Sequence, residues 1–202
     1  MRMRLATCAA ILAAALPAFA VMPPVPRPAK ELVVVEPSGK KTLLTSLKGK
    51  VVYIQFLFTT CPHCQHLSQV MTKVSADLAP KGLVVMGVGF DEPTGSAPGT
   101  PPTAAMITGY TKQYAGFPVG MAPRDTVMSY LGISVMDRFA VPQVLIVDRK
   151  GTVRAQSDFL GTEQLQDETY VRKFLGDLLK EGATTTTTSA APKKAAPVAE
   201  KN

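Results

Sequence analysis

Residues 51–64 read VVYIQFLFTTCPHC, and the two halves of this stretch make different demands on a fold. Val51 to Leu57 is continuously apolar except for Gln55. A run that does not alternate suits a strand buried on both faces, the usual setting of parallel strands. Beyond the cysteines, Leu67, Val70, Met71, Val74 and Leu78 recur at helical spacing, and Pro80-Lys81-Gly82 supplies a stop. A second continuous run, LVVMGVGF at 83–90, predicts another buried strand. Strand, helix and strand in this order predict a right-handed parallel crossover. Cys61 and Cys64 then sit where the first strand turns into the helix.

Outward from this unit, LVVVE (32–36) and KTLLT (41–45) flank Pro37-Ser38-Gly39-Lys40 and predict an N-terminal hairpin. DEPTGSAPGTPP (91–102) reads as a loop, followed by helices around Thr103–Tyr114 and Arg124–Leu131. VPQVLIVDRKGTVRAQS (141–157) holds two apolar runs joined by a turn at 148–151. A last helix over about Thr162–Lys180 carries Val171, Phe174, Leu175 and Leu178 on one face. The predicted class is α/β: a central mixed sheet flanked by helices, with the hairpin as an N-terminal extension.

The ends have a different composition. MRMRLATCAAILAAALPAFA (1–20) combines Arg2 and Arg4, an uncharged run and Ala18-Phe19-Ala20, the pattern of a signal peptide cleaved after Ala20. Its apolar run is shorter than the roughly 20 residues that span a bilayer as a helix. Cleavage removes Cys8 and leaves Cys61 and Cys64 as the only cysteines, in an oxidising compartment. The basic start and short signal point to a bacterial chain, periplasmic or secreted. VMPPVPRPAK (21–30) reads as a proline-rich spacer, and 183–202, with almost no large apolar side chain, as a disordered tail. The folded domain is predicted over 31–182. Loss of Arg2 and Arg4 lowers the formal charge from +7 to +5. The remaining basic residues are scattered, which argues against a nucleic-acid footprint.

Chemistry concentrates in Cys61-Pro62-His63-Cys64. Cys61 follows a buried strand and is placed at the first position of a helix, with Pro62 where a helix best accepts proline. Unpaired amides and the helix dipole there favour an anion, and a protonated His63 would add to the effect. Cys-x-x-Cys frames are associated with thiol pKa values lowered to about 3.5–7.5. Cys61 is therefore the expected nucleophile. Cys64, almost one turn on and facing inward, is the expected resolving thiol. A structural staple is the competing reading, but closing so small a loop stabilises by only about 2 kcal/mol. Cys61 and Cys64 with His63 or His66 also have ligand chemistry for zinc or copper. The mature chain supplies no further Cys or His to close a zinc site, although a methionine could complete a copper site. His66 reads as a solvated helix residue. No bound organic cofactor is expected.

GKVVYIQFLFTTCPHC, LVVMGVGFDE and VPQVLIVDRKG, in this order over about 31–180, resemble the thioredoxin superfamily in its exported TlpA-like, AhpC/TSA-related branch. The resemblance implies a thioredoxin fold and a cis-proline facing the cysteines, matched by Val141-Pro142, with Val141 free to pair with a substrate peptide. It further implies thiol-disulfide exchange with cysteines of exported proteins, together with a membrane or periplasmic redox partner. Two positions depart from the pattern: Thr60 replaces the expected tryptophan, and Gln55 replaces a buried carboxylate that many relatives carry. An amide cannot shuttle a proton to Cys64, and Gln55 itself needs a partner if buried. The Pro-His dipeptide resembles the oxidase DsbA, whereas TlpA-like relatives more often act as reductants, for instance in cytochrome c maturation, so the direction stays open. FTTCPHC also bears some likeness to Sco copper carriers, whose Cys-x-x-x-Cys spacing and distant histidine are missing here. A peroxiredoxin would carry threonine where this chain has Phe58.

Overall fold

A computed structural model describes residues 22–94, 97–134 and 137–181; the predicted signal peptide and the tail 183–202 lie outside the described residues. The strands are β1 (Arg27–Pro28), β2 (Val33–Val35), β3 (Lys41–Leu43), β4 (Val51–Leu57), β5 (Leu83–Gly89), β6 (Glu92–Thr94), β7 (Ala97–Thr100), β8 (Val119–Met121), β9 (Gln143–Val147) and β10 (Thr152–Gln156). The helices are α1 (Pro62–Leu78), α2 (Ala104–Tyr114), α3 (Arg124–Leu131) and α4 (Glu168–Glu181). Eight strands form one mixed sheet in the order β1-β10-β9-β4-β5-β8-β2-β3. The β4 strand lies at its centre, parallel to β5 and antiparallel to β9, and all of its residues are buried.

Because side chains alternate along a strand, β4 serves two layers. Val51, Tyr53 and Leu57 join α1, α2 and α4 in one core cluster. Val52, Ile54 and Phe56 join α3 and the 3-10 turn Leu44–Leu47 in the other. Leu67, Met71, Val74 and Leu78 are the buried stripe of α1. Burying each such side chain stabilises by roughly 1.5–3 kcal/mol, which seats α1 firmly on the sheet. Gly82, at φ +103°, turns the chain from the end of α1 into β5. Arg149 braces this end of the molecule: its Nη2 donates to the carbonyls of Lys81 and Leu179, just after α1 and near the end of α4.

The predicted hairpin is β2-β3, and the parallel crossover is β4-α1-β5. Four details differ from the expectation. The segment 21–30 is not merely a spacer: Arg27 and Pro28 pair with Val153 and Thr152, and Ala29 donates to Gly151 O at 2.8 Å. An edge strand tolerates proline because the missing N–H faces outward, so proline content alone misleads. The loop 91–102 contains the small β6-β7 ladder. Strand β8 escaped the sequence reading because it is short, centred on Gly120 and closely bracketed by Pro118 and Pro123. A Cβ at Gly120 would lie 2.8 Å from Val35 O, so close pairing with β2 requires glycine there. The last helix starts at Glu168, not Thr162, because Asp167 caps it by accepting from Tyr170 N at 2.7 Å.

Candidate active site

Cys61 is the N-cap of α1, one residue before the helical position expected from sequence. There its side chain, not its backbone, meets the orphan amides: Sγ accepts from Cys64 N–H at 3.3 Å. Pro62 follows at the first helical position, where its missing N–H costs no helix bond, and the first turn of α1 carries no acidic residue. The thiol is half-buried, and its pKa is lowered from 9.0 to about 6. The largest cause is a hydrogen bond from the Cys64 side chain; burial opposes it, and the Cys64 and His63 amides and the His63 charge add to it. The His63 charge that sequence reasoning singled out is thus the smallest of these causes, and His63 and His66 are both exposed. Cys64 is fully buried, and no disulfide joins the two cysteines.

Opposite Cys61 lies the turn that enters β9. The Val141-Pro142 peptide bond is cis, and Val141 O accepts from Cys61 Sγ at 3.7 Å. The Val141 amide makes no hydrogen bond to another described residue. Gln143 Nε2 closes the turn by donating to Ala140 O at 2.7 Å, while Ala140 N donates to Phe159 O at 2.8 Å. Phe58, Phe90 and Phe139 cluster nearby with centroids 4.9–6.3 Å apart, and Arg124 lies 5.2 Å over the Phe139 ring.

With the cysteine pair and the turn thus placed, residues 25–156 match the model of the AhpC/TSA family. The chain belongs to that family. It is 26% identical over 146 residues to the thiol-disulfide oxidoreductase ResA of Bacillus thuringiensis, covering 72% of this chain and 75% of that protein. The ResA of Bacillus anthracis matches at the same identity and coverage. Among solved structures, a thioredoxin-family thiol:disulfide interchange protein from Chlorobium tepidum superposes with a TM-score of 0.59 at 22% identity, covering 76% of this chain and 97% of that one. Another thiol:disulfide interchange protein, from Bacteroides sp., gives 0.57 at 20% identity, covering 75% and 90%. The fold is thioredoxin-like, and this AhpC/TSA member is a protein-disulfide oxidoreductase.

Where the family resemblance led to the expectation of a buried carboxylate, Gln55 is fully buried with both ends of its amide engaged. Nε2 donates to Cys64 O at 2.9 Å, and Oε1 accepts from Ser68 Oγ at 3.0 Å. Ser68 Oγ in turn lies 2.7 Å from the Tyr110 hydroxyl. Sequence reasoning missed Ser68 and Tyr110. The available signal was periodicity: Cys64, Leu67, Ser68 and Met71 share one helix face, and a serine on an otherwise apolar stripe asks for a buried partner. Among the described residues no group of three or more His, Cys, Asp or Glu side chains is arranged to hold a metal ion. A cavity of about 400 Å³, lined by Asp91, Pro102, Met121 and Arg124 among others, includes neither cysteine in its wall.

Proposed function

We propose that Cys61 attacks disulfides of exported proteins as a thiolate and that Cys64 resolves the mixed disulfide, with substrate backbone docking on Val141. The observation that carries this reading is the half-exposed Cys61 Sγ at the N-cap of α1, bonded by the Cys64 amide, with the buried Cys64 one turn below. With a pKa of about 6, Cys61 is largely ionised at neutral pH and remains nucleophilic. Ionisation has a second effect. The S–H that donates to Val141 O is lost, so the Val141 carbonyl becomes available together with its amide, the pair of groups an extended peptide uses when it adds to a backbone edge.

The signal-peptide pattern at 1–20 supports a site for this exchange in the periplasm or outside the cell. There the enzyme needs a membrane or periplasmic redox partner to reset the cysteine pair, and no bound organic cofactor. Direction follows from the potential. Lowering the Cys61 thiol favours the reduced pair and so makes the disulfide more oxidising, on a scale that runs from about −270 mV for thioredoxin to about −120 mV for DsbA.

Equilibration of the Cys61-Cys64 couple against glutathione tests this reading, with a potential between those two values expected. Trapping with Cys64→Ser should yield a mixed disulfide through Cys61. A protein that forms no mixed disulfide but binds copper stoichiometrically through its reduced cysteines would replace the proposal with the metal-carrier reading.

A further inference from the structure

The protons in the chain beneath Cys64 can be assigned one by one. The Cys64 carbonyl only accepts, so the Gln55 group 2.9 Å from it is the amide NH2. Gln55 Oε1 is then the acceptor facing Ser68, which commits the single Ser68 hydroxyl proton to that bond. The 2.7 Å contact between Ser68 and Tyr110 therefore has Tyr110 as donor. Donation runs from Tyr110 to Ser68 to Gln55 to the Cys64 carbonyl, with all four groups at most 3% exposed. No charge is present, and an amide and a serine hydroxyl do not titrate near neutrality. Burial pushes the Tyr110 hydroxyl upward; the hydrogen bonds with Ser68 and Gln55 oppose this, and thiolate charge at either cysteine adds to the rise.

We propose that Tyr110 and Ser68 are positioning residues for the resolving step, holding Cys64 through Gln55 by a neutral, one-way hydrogen-bonded chain where a buried acid would otherwise stand. This rests on the exchange reading above. In that step the Cys64 S–H bond breaks, the Cys61–Cys64 bond forms and the bond to substrate sulfur breaks. The substrate sulfur leaves with the electron pair. Because the chain beneath has no vacancy for a proton, the Cys64 proton goes outward, to the departing thiolate or to solvent. The titratable groups facing the chain are Cys61 and Cys64 at the start of α1 and Tyr110 on α2, with the Tyr114 ring tilted against Tyr110 at a centroid distance of 5.3 Å. Strand β4 adds Tyr53, whose hydroxyl donates to Leu165 O at 3.0 Å. Within this core cluster β9 and α4 contribute buried apolar side chains, such as Val144 and Leu175.

Reduced protein mixed with 5,5′-dithiobis(2-nitrobenzoate) should release thionitrobenzoate in two phases, the first reporting attack by Cys61 and the second resolution by Cys64. Tyr110→Phe, which keeps the ring, and Ser68→Ala should each slow the second phase about tenfold, the rate equivalent of one hydrogen bond. The first phase and its pH midpoint should not move. In wild type the second phase should rise steadily with pH until Cys64 itself ionises; Gln55→Glu should introduce a new inflection. Wild-type second-phase rates in Tyr110→Phe and Ser68→Ala, or equal slowing of both phases in step with a lower Tm, would overturn the proposal. So would an inflection in wild type that Tyr110→Phe abolishes. Release of a single thionitrobenzoate by wild type would instead sink the exchange reading itself.

Discussion

One strand separates two kinds of interior. From β4, Val52, Ile54 and Phe56 enter an apolar cluster closed by α3. Tyr53, Gln55 and Leu57 enter the layer under α1, α2 and α4, where the chain of buried amide and hydroxyl groups ends on Cys64. Apolar packing is non-directional and fixes the sheet; a buried hydrogen-bonded network is directional and fixes individual atoms. The fully buried Gln55 and Ser68 lie beneath the reactive pair, where position matters.

The sharpest way to break this division is to remove each sulfur in turn. Cys61→Ser should abolish disulfide exchange, whereas Cys64→Ser should still attack and accumulate mixed disulfides visible by mass spectrometry. Equal, mild losses would make the pair a staple. Next in size, Phe56→Ala in the opposite layer should cost about 3–5 kcal/mol in urea unfolding. The midpoint of Cys61 alkylation should stay in place, and a shift of that midpoint would show that the layers are not independent.

A third measurement follows the proton. Alkylation of Cys61 should fall tenfold per unit below about pH 6 and level off above it. A folded-state pKa below the unfolded value means that the folded protein binds fewer protons between the two. The stability contributed by this ionisation therefore grows from pH 6 to 9, is fully present above 9, and is lost on acidification through 6. Reduced wild type should gain stability over Cys61→Ser across that window, and a flat difference would refute the thiolate. The smallest effect is expected at Arg172, which bridges Glu168 and Asp77 at 2.8 Å on the surface between α4 and α1. Arg172→Ala should change stability by no more than about 1 kcal/mol, less in high salt.

Sequence made the centre of the fold legible because β4 and β5 are long uninterrupted apolar runs and α1 has a clear stripe. It made β1 and β8 illegible because a two-residue edge strand and a three-residue strand around Gly120 gain their shape from neighbours, not from pattern. Within the site, Cys61 and Cys64 could be read because thiols at this spacing are chemically distinctive, and the Val141-Pro142 turn because the family resemblance pointed to it. Ser68 left only the hint of a serine on an apolar stripe, and its pairing with Tyr110 could not be read, since it is a contact across 42 positions of chain. Gln55 was visible as an anomaly, but its partners were not.

The Arg149 guanidinium acts far from the sulfurs. By gripping carbonyls beside the tails of two helices, it turns α1 into a post set in a footing at the end remote from the sulfurs.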